Sequence, residues 1–74
     1  MNRYETTTAG GFCRVTDTQT GAALTWVIGR FNETNKADAG KIPQGLDPAA
    51  LAGYVARICR ELADYAAAAV PELL

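Results

Sequence analysis

The sequence contains no histidine. That removes the side chain that most often serves as a general base, binds zinc or changes charge near neutral pH. Only two cysteines occur, Cys13 and Cys59, too few for a zinc site without other soft ligands. Charge of either sign is sparse: seven Lys+Arg stand against eight Asp+Glu, for a net charge of -1. A strongly basic nucleic-acid binder would carry many more cations, and an acidic mimic of DNA many more carboxylates. Long apolar runs are missing too. No stretch approaches the ~18 apolar residues a membrane helix needs. The first residues, Met1-Asn2-Arg3-Tyr4-Glu5-Thr6-Thr7-Thr8, lack the apolar core of a secretory signal. The expectation is a cytoplasmic protein with no membrane segment, no metal and no cofactor. In that reducing setting both cysteines read as small apolar side chains with free thiols.

What is present suffices for one small domain, residues 1–74, with 49% hydrophobic and 20% charged residues. Thr- and Tyr-rich residues from about 3–8 read as a first strand. Ala9-Gly10-Gly11 breaks it, and the alternating segment from 11–17 reads as a second. After the turn Thr18-Gln19-Thr20-Gly21, residues 22–31 carry Leu24, Thr25, Trp26, Val27, Ile28 and Phe31 and read as the third. Residues 32–46 are a long polar loop, with a short turn of structure expected near Ala37 to Lys41. Asp47-Pro48 opens a helix over about 48–69, because Asp caps free N–H groups and Pro suits the first helical position. Leu51, Val55, Ile58, Leu62 and Ala66 form its apolar stripe, and Arg57/Glu61 and Arg60/Asp64 are opposite charges four apart. The predicted fold is α+β: a three-stranded antiparallel meander packed on one C-terminal helix, βββα in two layers.

Period-two alternation places Leu24, Trp26 and Ile28 on the face toward the helix. The opposite face then carries Val27 and Phe31, joined by Phe12 or by Cys13 and Val15. One helix cannot cover both faces, so an apolar surface is expected to seek a partner outside the chain or in a second copy. The partner-binding candidates are Phe12, Val27 and Phe31 with Arg14 and Arg30 on or beside the strands, and Glu33, Lys36 and Lys41 from the loop.

No motif names a reaction. Gly40-Lys41 has Asn35 where a phosphate loop needs glycine and Ile42 where it needs a hydroxyl. Asp17, Glu33 and Asp38 read as solvated carboxylates, with no apolar pocket to split their pKa values. Neither cysteine has an activating base in the sequence beside it. A non-enzyme is expected.

The stretch Gly11-Phe12-Cys13-Arg14-Val15-Thr16-Asp17-Thr18-Gln19-Thr20-Gly21, followed by Trp26 and Gly29-Arg30-Phe31, resembles the sheet of βββα DNA-binding modules such as the arm-binding domains of phage tyrosine recombinases. That resemblance implies a basic sheet inserted in the major groove with a helix behind it. Here the second and third strands offer only Arg14 and Arg30, few cations for a phosphate backbone. The leading expectation is a small non-catalytic protein-interaction module. It would act as a steric inhibitor or accessory protein on a larger complex, for example an anti-CRISPR-type inhibitor from a phage or mobile element. The alternative is nucleic-acid binding through the sheet, as a dimer.

Overall fold

The computed structural model describes residues 2–74; Met1, the first residue of the expected domain, lies outside them. The elements run β1 (Tyr4–Ala9), β2 (Phe12–Asp17), β3 (Ala23–Val27), α1 (Phe31–Thr34), β4 (Lys36–Asp38) and α2 (Pro48–Ala69), closed by a 3-10 turn at Pro71–Leu73. The architecture is α+β: an antiparallel sheet in the order β1-β2-β3-β4, packed on one long C-terminal helix. Three strands precede the helical segments as expected, and a fourth, β4, forms inside the stretch read as loop.

Gly10 and Gly11, with φ of 59° and 83°, form the two-residue hairpin turn whose twist matches the right-handed twist of the adjoining strands. The register then runs without a bulge from Ala9↔Phe12 to Tyr4↔Asp17. The core lies between sheet and helix. Cys13, Val15, Leu24 and Trp26 meet Ile58, Leu62 and Ala66 there. Steps of four place those three helical residues on one face. At the helix start, the Asp47 carboxylate accepts the Ala50 N–H at 2.7 Å, and Pro48 follows it.

The 22-residue helix is ~33 Å long, and its buried residues, Ile58, Leu62 and Ala66, all lie from Ile58 onward. Leu51 and Val55, expected in the core, are only half-buried. Arg57 and Glu61 approach to 3.9 Å, whereas Arg60 and Asp64 form no ion pair.

The third strand stops at Val27, four residues short of expectation. The chain turns at Gly29 (φ 85°) and enters α1. Counting in twos past that point fails: Ile28 stands 36% exposed outside the strand, and Phe31 swings back onto the core, edge-to-face with Trp26 at 5.1 Å. The C-terminal turn braces the same corner. The Leu73 carbonyl accepts the Trp26 Nε1–H at 2.8 Å and the Gly29 N–H at 3.2 Å, and the Leu74 carbonyl accepts the Phe31 N–H.

Gly40 (φ 65°) is where the segment after β4 crosses the β2–β3 turn. A Cβ there would lie 2.5 Å from the Ala22 nitrogen and 2.5 Å from the Thr20 oxygen. The next amide, Lys41, donates to that Thr20 oxygen at 2.9 Å. Gly40→Ala therefore forces backbone apart as well as straining φ, and is expected to cost about 1–3 kcal/mol. Denaturant unfolding checks this, and faster exchange of the Lys41 amide should accompany it; an unchanged midpoint would refute the crossing.

Candidate interaction surface

The register sorts the outer face of the sheet into three cross-strand rows. Ala9, Phe12 and Val27 make an apolar row at one end. Thr7, Arg14, Thr25 and Lys36 make a basic row beside it. Glu5, Thr16, Ala23 and Asp38 make an acidic row at the other end. The expectation of a broadly apolar outer face is thereby corrected. The apolar part is one row, because Phe31 belongs to the core side and β4 adds Lys36 and Asp38 to the outer face.

Within that row Phe12 is 51% exposed and Val27 half-buried. Hydrogen bonding fixes their backbones: the Gly11 carbonyl accepts the Ile28 N–H at 2.9 Å, and Thr34 Oγ1 accepts the Val27 N–H at 2.9 Å. Arg14 lies along the next row, its Nη1 donating to Thr25 Oγ1 at 3.1 Å. Phe12, Val27, Arg14 and Lys36 are thus brought together on one surface.

The other candidates lie elsewhere. Arg30 and Glu33 pair with each other at 2.6 Å around the start of α1, both exposed. Lys41 lies on the loop after β4, with its carbonyl 3.4 Å from the Tyr54 hydroxyl, which donates to it. Phe31 is half-buried against Trp26 and is not a free surface residue.

The polar group that sequence reasoning misplaced is Asp17. Read as a solvated carboxylate, it is 1% exposed at the end of β2. Its carboxylate accepts Arg3 Nε and Nη2, the latter at 2.9 Å, and the Gln19 N–H at 2.9 Å. The Arg3 hydrogen bonds hold its pKa below the ordinary carboxylate range, against an upward push from burial, with the Gln19 amide adding to the depression. The alternation that turns Cys13 and Val15 inward turns Asp17 inward too, and that was the signal available. The arrangement is a structural clasp between the start of β1 and the end of β2.

Both thiols are free, Cys13 buried and Cys59 half-buried. Burial pushes the Cys13 thiol up, which keeps it protonated rather than nucleophilic. Among the described residues no three Cys, Asp or Glu side chains converge to hold a metal ion, and no helix is long and apolar enough to cross a membrane. Comparisons with known protein families, with curated proteins and with solved structures find no match.

Proposed function

We propose that this protein is a small non-catalytic interaction module that docks on a larger protein or complex through the outer face of its sheet, with Phe12 as the anchor. The observation that carries the reading is the placement of Phe12. It stands half out of the surface on a hydrogen-bonded strand, beside Val27 and next to the row holding Arg14 and Lys36. An aromatic held on a rigid strand loses little freedom on binding. Aromatic and arginine side chains also contribute disproportionately to protein interfaces. The basic row beside the anchor and the acidic row beyond it would set the orientation of a charged partner surface.

A steric inhibitor would use such a face, covering a working surface of its target without chemistry of its own. An anti-CRISPR-type inhibitor carried by a phage or mobile element, blocking a nuclease complex, is one form of this. The basic row also supports a nucleic-acid reading, but Glu5 and Asp38 in the adjacent row oppose a phosphate backbone.

Phe12→Asp is expected to leave the fold intact and to lower affinity tenfold or more for a protein partner captured from the native host. Circular dichroism and titration of that partner check both parts. Salt-sensitive binding of duplex DNA that is lost on Arg14→Ala would count against this reading and favour nucleic acid.

A further inference from the structure

We propose that β1 is a self-complementary edge through which two copies of this chain join into one continuous sheet, four strands from each, about a two-fold axis at Thr6. The Arg3 carbonyl accepts the Thr18 N–H at 2.8 Å. In an antiparallel pair, hydrogen-bonded and non-hydrogen-bonded residues alternate. Arg3, Glu5, Thr7 and Ala9 therefore bond to β2, and the N–H and C=O groups of Tyr4, Thr6 and Thr8 point away from the sheet. The other edge is different. By the same alternation, three-residue β4 frees only Ala37, between charged Lys36 and Asp38.

β1 carries little of the usual edge protection, a single charge at Glu5. It has no proline, no lysine and no bulge over its six residues. Its core side is also thinly covered, because α2 packs on β2 and β3. Tyr4 stacks on Tyr65 at 4.6 Å, but Thr8, on the same face, stays exposed.

Charge and backbone pairing together select the register. Outward groups meet only when even-numbered residues face even-numbered ones. Pairing Tyr4 with Thr6 of the second copy would put Glu5 against Glu5, which repels. Pairing Thr6 with Thr6 aligns all three outward-bonding residues of each copy, against two for an axis at Thr7: Tyr4 faces Thr8, filling the open place on the core side, and Glu5 faces Thr7. The rows of the outer face then complement each other. The basic row Lys36–Thr25–Arg14–Thr7 of one copy runs into the acidic row Glu5–Thr16–Ala23–Asp38 of the other.

The joint uses backbone groups of β1 and no foreign partner, so it is independent of the docking reading. It is small beside stable dimers, which bury about 1,200–2,000 Å², and weak reversible association is expected. The test uses the full chain in sedimentation equilibrium up to about 1 mM, with amide exchange followed by NMR. The dimer should form as concentration rises, and the Tyr4, Thr6 and Thr8 amides should become protected in step.

Two variants at exposed Thr7 separate this joint from any other. Thr7→Glu should weaken the dimer by about twofold to thirtyfold, from two new Glu–Glu contacts, and Thr7→Lys should strengthen it comparably. Within one chain Thr7 faces Arg14, so monomer stability should move the opposite way for each variant. A chain that stays monomeric at about 1 mM with those three amides unprotected would overturn the proposal. So would a dimer indifferent to both Thr7 variants.

Discussion

Trp26→Ala is expected to remove about 3–5 kcal/mol of stability. A chain of 74 residues holds only ~4–11 kcal/mol in total, so the variant should lose from about a quarter to all of it. Trp26 is fully buried at the centre of the core, edge-on to Phe31, and its indole N–H is the donor that fastens the C-terminal turn at Leu73. Trp26→Phe keeps much of the packing but removes that donor, and should cost about 1–2 kcal/mol. Urea unfolding of the two variants separates the contributions. A near-neutral Trp26→Ala would mean that the sheet and helix do not share one core.

Acid should destabilise the protein through Asp17. Its folded-state pKa lies below the unfolded value, so its contribution is fully present above the unfolded pKa of about 4. That contribution is lost as pH falls through the folded pKa, because the unfolded chain takes up the proton first. Asp17→Asn cannot accept from the Arg3 guanidinium as a charged group. It should cost about 1–3 kcal/mol at neutral pH, the modest figure reflecting that Arg3 remains partly in water. Unfolding midpoints measured from neutral pH to about pH 2 should show wild type and variant converging in acid. Parallel curves would show that the clasp contributes nothing.

The helix was legible because its signals are local: a capping Asp, a Pro at the first position and an apolar stripe at helical spacing. The hairpin of β1 and β2 was legible for the same reason, through Thr- and Tyr-rich residues before two glycines and alternation after them. β4 was not. Lys36, Ala37 and Asp38 have little strand preference, and they become a strand only because β3 offers them an unpaired edge. Phe31 was misplaced because the strand period was carried past Gly29, where the backbone leaves the sheet. Asp17 was misplaced because its charge argues for water, while Arg3, 14 residues away, makes burial tolerable. The bond from Trp26 to Leu73 spans 47 residues and has no local signature.

Of the candidate surface, Phe12, Val27, Arg14 and Lys36 share a face because strand register joins them. Arg30, Glu33 and Lys41 do not, because loop residues have no period from which to read a side.

The most direct measurement compares two exposed apolar positions in titration against the partner that the wild-type chain captures. Phe12 lies on the outer sheet face; Ile42, 46% exposed, lies on the loop after β4. The account predicts that Phe12→Asp lowers affinity by about tenfold or more while Ile42→Asp leaves it within about twofold. Undiminished binding by Phe12→Asp, with loss in Ile42→Asp, would contradict it and move the docking site to the loop.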